Sequence, residues 1–508
     1  MDYQEQLIAQ RKAKLDRLRA LGIDPYPYRF EPSQTSREIL AAPEAFFERT
    51  VRVAGRLMAI RAMGKSSFAH IQDGEGRIQI YVRRDTIGDD GYEAWKQLDI
   101  GDIVGAEGPP FRTRTGEVTI DVAQLVVLAK GVRPLPIVKE EIVDGQRVVH
   151  HDISENLELR YRHRCIDLIV NPEAREVFRT RAKILHTVRR VLDERRFIEV
   201  ETPTLQRVYG GASARPFKTH HNALDSDLYL RISPELYLKR LVIGGLERVY
   251  DLSRNFRNEG IDRTHNPEFT MLEAYQAYAD FTDMMELTET IYAEACLAVL
   301  GKLALDYQGH KLDFTPPWER LTMVEAIERY AAIDVEKLRD DELRGLVATE
   351  ESGDGLASMP RGLLINALFE RRAEEKLVGP VLVTHHPRET TPLCKGAREG
   401  GPYIERFEPF ALGWELGNAY TELNDPIRQR ELLDEQAANR EIDGEVPPVD
   451  EDFLRAMELG MPPTGGLGLG IDRLVMILTN QPSIRDVIAF PTMRPVCAAE
   501  DERDQGGR

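Results

Sequence analysis

Cysteine is scarce in this 508-residue chain, and its scarcity excludes two architectures. Cys165, Cys296, Cys394 and Cys497 stand far apart with no CxxC spacing, so neither a disulfide framework nor a structural zinc site is expected, and a reducing compartment fits. Long apolar runs are also missing. No stretch approaches the roughly 20 residues of a membrane-spanning helix, and the opening MDYQEQLIAQRKAKLDRLRALGI has no apolar export signal. A cytoplasmic protein with no membrane segment is the expectation. Nor is there a basic excess, since the formal net charge is −18. That charge is unevenly spread: residues 1–133 carry 20 Lys and Arg against 19 Asp and Glu, and the remainder 47 against 66. The N-terminal quarter is the part that tolerates a polyanion, although chance variation between domains gives the same imbalance.

What is present is ordinary globular composition, 42% hydrophobic and 30% charged. The length suggests two to four domains with sizeable cores. Residues 3–21 read as a surface helix closed by Gly22 and Pro25. From 50 to 130 the texture changes to short β-type runs, VRVAGRLMAI, SFAHIQD, RIQIYV, DIVGAEG and VTIDVAQLVVL. Five such strands in about 80 residues suggest a small barrel, an oligonucleotide-binding (OB) fold or another of that size. Residues 134–170 suit a linker. Asn171-Pro172-Glu173 then supplies an N-cap, a first-turn proline and an acid for a helix reaching about Arg196. From FIEVETPTL onward, β-rich runs alternate with helices, with a helix-rich stretch near 284–378. This reads as a large α+β domain, residues 171–497, on a mostly antiparallel sheet, with a disordered tail at 498–508.

Two glycine-containing stretches are decoys. MGKSS at 63–67 lacks the earlier glycine of a phosphate-binding loop, because position 59 is alanine. GGLGLGIDR at 465–473 does not satisfy GxGxxG spacing and lies in no βαβ repeat. The informative stretch is SRNFRNEGIDRTHNPEF, 253–269. Strand-like ERVYDLS precedes it and EFTMLEAY follows, so it reads as a long hairpin loop. Arg257, near the end of the first strand, has the planar fork that can hold a carboxylate and a phosphate oxygen together. Taken alone, such a loop is equally a solvated surface hairpin.

Three ordered motifs remove that bland alternative. FRNEGIDRTHNPEFTMLEAY resembles motif 2 of the class II aminoacyl-tRNA synthetases, GLGLGIDRLVM motif 3 and FIEVETPTL motif 1. Within the class, SPELYLKRLVIGG, GGASARPFKTHHNALD and ERFEPFALGWELGNAYTELNDP resemble the lysyl-tRNA synthetases of bacterial type. MGKSSFAHIQDGEGRIQIYV resembles their anticodon-binding domain, so the likeness covers nearly the whole chain. It implies an N-terminal helix and OB-fold anticodon-binding domain over 1–133 and a class II antiparallel-sheet catalytic domain beyond the linker. It also implies ATP-dependent activation of L-lysine to lysyl-adenylate and transfer to the 3′ end of tRNA(Lys), by a magnesium-dependent homodimer.

The resemblance further implies residue roles. Arg257 and Arg473 would be catalytic, and with Glu259, His265 and Phe269 they would bind ATP, Phe269 stacking on the base. Glu408 and Glu415 would hold Mg2+, where without the motifs they would read as outward-facing strand acids. Gly211, Glu235, Glu273, Tyr275, Asn418, Tyr420 and Glu422 would bind lysine. A buried ammonium needs an opposite charge, and Glu422 is the family's candidate for it. Phe68, Gln79 and Glu117 would read anticodon bases, although Phe68 also suits a core position. The chain departs from the family at His386 before Pro387, at Thr391 and Cys394, and at Trp414. Two rivals are a catalytically silent synthetase-like RNA-binding protein and a paralogue that lysylates a protein. The first should have lost Arg257, Arg473 or the carboxylates, and the second should lack the barrel.

Overall fold

The computed structural model describes residues 3–136, 139–143, 146–150, 156–348, 355–439 and 449–495; Cys497 and the expected disordered tail lie outside them. The chain divides into two compact units, residues 1–156 and 157–508.

In the first unit the helix Tyr3–Ala20 buries Leu15 and Leu18 and ends at Gly22, whose φ of 76° is the left-handed conformation glycine adopts without strain. Seven strands follow, not five: β1 (Val51–Met63), β2 (Ser66–Gln72), β3 (Arg77–Arg83), β4 (Ile103–Gly108), β5 (Pro110–Arg112), β6 (Val118–Asp121) and β7 (Gln124–Ala129). Their order is β5-β6-β3-β2-β1-β4-β7. The run VTIDVAQLVVL splits at Val122-Ala123 into β6 and β7, and the GPP turn opens into β5. Alternating Val51, Val53 and Leu57 point into the barrel core with Ile78, Ile80 and Val104. A hairpin of β8 (Lys139–Val143) and β9 (Gln146–His150) lies within the expected linker.

The second unit begins earlier than the linker expectation had it, with helices Leu157–Arg162 and Arg164–Val170. Arg164 is fully buried and explains their order: it donates to Asp167 Oδ2 at 2.6 Å, to the Ala489 carbonyl at 2.9 Å and to the Arg485 carbonyl at 2.8 Å. The helix Pro172–Glu194 starts where expected, but Asn171 does not cap it. Its amide donates instead to Asp167 Oδ1 at 2.7 Å.

The main sheet is built from β10 (Ile198–Glu199), β14 (Arg248–Phe256), β15 (Glu268–Ala277), β18 (Glu319–Thr322), β19 (Val381–Pro387), β20 (Tyr403–Ala411), β21 (Trp414–Glu415), β22 (Gly417–Thr421) and β23 (Thr464–Gly470). The order is β10-β14-β15-β23-β22-β20-β19-β18, with β21 on β20. Within this sheet only the outer pairs β10·β14 and β18·β19 are parallel among the described residues. A small sheet of β11 (Leu205–Gln206), β13 (Ser226–Leu230) and β12 (Lys218–His221) stands apart. The stretch 284–378 is less purely helical than expected. It opens at Phe281 on an Asp280 capping box and includes β18 and the hairpin of β16 (Ala304–Tyr307) and β17 (His310–Asp313).

Period-two alternation gives the sheet two unlike faces. Leu272 and Ala274 of β15 and Leu467 and Leu469 of β23 enter the apolar core beside helix Phe281–Leu300. Glu273 and Tyr275 turn the other way, opposite Gly468 and Gly466, which in turn face Asn418 and Tyr420 of β22. This explains the alternation in GGLGLG. A Cβ on Gly466 would fall 1.9 Å from Glu422 Oε1, and one on Gly468 2.5 Å from Met271 Cε. Leu272→Ala empties a fully buried site between these layers; a loss of about 2–5 kcal/mol is expected, read as a lower denaturant midpoint, and an unchanged midpoint would contradict the packing.

Candidate active site

The glycine-floored face of the sheet lines a cavity of about 480 Å³. Every residue expected at the nucleotide, amino-acid and metal positions lines it, although they come from β15, β20 to β22 and the residue after it, the 257–266 loop, the loop of Gly211 and two helices. The helix Glu235–Ile243 carries Glu235, and Ile471–Leu478 carries Arg473.

Arg257 lies one residue past β14, where its backbone N–H donates to the Pro267 carbonyl at 2.9 Å. Its guanidinium rests over the Phe269 ring at 5.1 Å, and its Nε is buried with no hydrogen-bond partner. A buried, unmatched donor on a delocalised cation is an open position for an anion. Arg473 is anchored to the Glu415 carbonyl, and its second nitrogen meets His265 Nε2 at 3.3 Å. His265 Nδ1 pairs with Asp262 Oδ2 at 2.8 Å. Slight burial opposes ionisation of Asp262, but hydrogen bonds from His265 and from the Thr264 and His265 backbone hold it down to about 2. Glu259 is exposed at the rim.

At the other end, Glu235, Glu273 and Glu422 are all buried. Glu273 accepts from Ser233 Oγ at 2.8 Å and from Tyr275 OH at 3.3 Å. Burial and the neighbouring Glu235 push it up to about 8, so this carboxyl is mostly protonated at neutral pH. Gly211, at φ 81°, passes so close that a Cβ would sit 2.9 Å from Ser233 Oγ. Asn418 donates to Tyr420 OH at 2.7 Å and accepts from Arg406 at 3.0 Å. Arg406 also pairs with Glu408, on the same face of β20. Burial and Glu408 raise the Glu415 carboxyl, the sign of two like charges held close.

A family model described as tRNA synthetases class II (D, K and N) matches residues 156–494, and one described as an OB-fold nucleic acid binding domain matches 51–128. The chain is 51% identical over 494 residues to a lysine-tRNA ligase of Pelotomaculum thermopropionicum, covering 96% of this chain and 95% of that one. It is 50% identical over 496 residues to one of Moorella thermoacetica, covering 97% and 99%. The chain belongs to the lysine-tRNA ligase family of class II synthetases.

As a class II synthetase with an anticodon-type OB-fold, the chain has a second set of expected residues on the barrel. Phe68 is half-buried and stacks on Tyr81, ring centroids 4.4 Å apart. Gln79 is almost buried, its amide donating to Glu117 Oε2 at 2.8 Å and accepting from Thr119 Oγ1 at 2.7 Å. The three expected residues therefore share one patch, with Glu117 its exposed acceptor and His70 at 2.8 Å from it.

Several neighbours escaped the sequence reading. Arg406 was visible in principle, two residues before Glu408 on one strand face. Lys239, Ser233 and Glu374 carried no such signal, because their places depend on packing between segments distant in sequence. Glu374 is pushed up to about 7 by burial and by Glu408. Arg181 donates to Asp472 Oδ1 at 2.6 Å and to Thr270 at 2.9 Å, fixing the start of the helix that carries Arg473. Among the departures, His386 is buried with its ring donating to the Val383 carbonyl, and Trp414 packs edge-on against Tyr307.

A carboxyl raised from 4.5 to about 8 in the fold binds its proton more tightly there than in the unfolded chain. Its contribution to stability is full below the unfolded value and is lost as pH rises through the folded one. Wild-type protein should therefore lose thermal stability relative to Glu273→Gln between about pH 4.5 and pH 8, whereas parallel melting curves would contradict the assignment.

Proposed function

We propose that the cavity activates L-lysine with ATP and passes the lysyl group to tRNA(Lys). The single observation carrying this is the polarity of the cavity: cations Arg257 and Arg473 at one end, buried carboxyl groups of Glu235, Glu273 and Glu422 at the other. Lysine carries the complementary pattern, an anionic α-carboxylate and two ammonium groups.

The reaction joins two anions, the lysine carboxylate and the α-phosphate of ATP. It therefore needs alignment and charge neutralisation more than an acid or base. Arg257 holds the carboxylate beside the α-phosphate, its open Nε supplying a further donor. Phe269 presents a face to the adenine, Glu259 and His265 complete the nucleotide pocket, and Arg473 neutralises the far phosphates. Glu273, Glu235 and the backbone near Gly211 hold the α-ammonium, while Glu422, Tyr275, Asn418 and Tyr420 enclose the side chain.

Glu408 and Glu415 fit a magnesium ion, being half-buried acids so placed that burial and Glu408 raise the Glu415 carboxyl, beside Arg406 and Arg473. No group of three or more such ligands occurs among the described residues, which matches a cation that keeps waters and phosphate oxygens. Bound there, the ion would supply charge neutralisation to the β- and γ-phosphates.

On the barrel, the Phe68 ring stacks with a splayed anticodon base, while Gln79 and Glu117 address base edges. Motif 1 leaves Ile198 and Leu205 each 49% exposed, which supports a homodimer through that segment. No helix among the described residues is long and apolar enough to cross a membrane, and the scattered cysteines support the cytoplasm.

Purified protein should charge tRNA(Lys) with lysine. Arg257→Ala should lower the activation rate by roughly 10²–10³ with tRNA binding intact. Glu422→Gln should abolish lysine activation while ATP still binds; lysine activation by Glu422→Gln at the wild-type rate would overturn the pocket assignment.

A further inference from the structure

One buried cation stands behind the carboxylate end of the cavity and belongs to neither the nucleotide nor the metal end. Lys239 is 0% exposed and does not line the cavity. Its Nζ lies 2.6 Å from Glu235 Oε1, one helical turn away, and 2.5 Å from Glu422 Oε2 across the site. The second contact is an ion pair out of hydrogen-bond alignment, so neither Glu422 oxygen has a hydrogen-bond partner. Oε1 lies over Gly466, beside the Tyr275 ring.

We propose that Lys239 is a specificity-determining positioning residue, whose ammonium bridges Glu235 and Glu422, holds both in place and lowers the cost of charge on Glu422 when the lysine side chain meets it. The inference rests on Glu422 being the partner of that side chain. It answers a physical difficulty, since burial strongly favours the neutral acid. Burial leaves the Glu422 carboxyl raised, with Glu235 and Glu273 adding to the rise, and Lys239 is the largest influence holding it down. Burial opposes charge on Lys239, but Glu235 and Glu422 together keep its ammonium above its ordinary value. The other groups facing Glu422 are Tyr275, Tyr420 and Cys394, all raised by burial and so neutral at pH 7. An acid whose charge a neighbouring cation already favours ionises more readily when an ammonium arrives, and a side chain without a cation gains nothing from it.

The test is the pH profile of the lysine KM in Lys239→Met. At pH 7 the KM should rise roughly tenfold or more, one pKa unit being tenfold in the ionised fraction, with the ATP KM unchanged. The gap should narrow as pH rises and Glu422 ionises unaided. A gap equal at every pH, or no gap while Glu422→Gln is inactive, would overturn the proposal; lysine activation surviving in Glu422→Gln would instead remove the pocket reading beneath it. Should Lys239→Met not fold, wild-type protein still decides. Calorimetry in two buffers of different ionisation enthalpy should show protons released on lysine binding at pH 7, and fewer as pH rises and the two carboxyls ionise in the empty site. No release at any pH would mean that Glu422 stays protonated with lysine bound, against the proposal.

Discussion

Charge buried on one face of an antiparallel sheet is the constraint on which this structure depends. Each acid or guanidinium taken from water costs several kcal/mol unless something answers it, so the site is a set of answers. Arg406 answers Glu408, Arg181 answers Asp472, and Lys239 answers two glutamates together. Among the charged groups lining the cavity, Arg257 Nε and the Glu422 oxygens are without hydrogen-bond partners, Glu422 being ion-paired to Lys239 alone. These are the groups to which the proposed reaction assigns the substrate's carboxylate and side-chain ammonium.

The opposite face makes such a cavity tolerable. Leu272, Ala274, Leu467 and Leu469 lock β15 and β23 against helices, and the strands carry their polar residues in strict alternation with these. Glycines at 466 and 468 clear the floor, allowing long side chains from β15 and β22 to converge above it. The same few residues thus serve core packing and cavity shape, and a one-residue slip in β23 would put leucine where Glu422 lies.

Much of this was legible in the sequence, and unevenly so. The strand alternation of GNAYTEL placed Asn418 and Tyr420 on one face, and the hairpin reading of 253–269 put Arg257 between paired strands. Composition and spacing could not assign the individual site residues; a resemblance carried by three motifs did that. The failures were local and physical. Asn171 looked like a cap, but Asp167, one turn earlier, takes its amide. The linker hid two helices because their stability comes from Arg164 reaching carbonyls more than 300 residues away. Lys239 carried no signal in the sequence, because only the fold brings Glu235 and Glu422 together around it.

The central claim, that cavity charge selects lysine, is tested most directly by amino-acid-dependent exchange of pyrophosphate into ATP, run across the standard amino acids with wild-type protein and magnesium. Exchange driven by lysine alone is the predicted result. Exchange driven by an amino acid without a side-chain cation would contradict the account, since Glu422 would then be buried with no substrate charge to meet it.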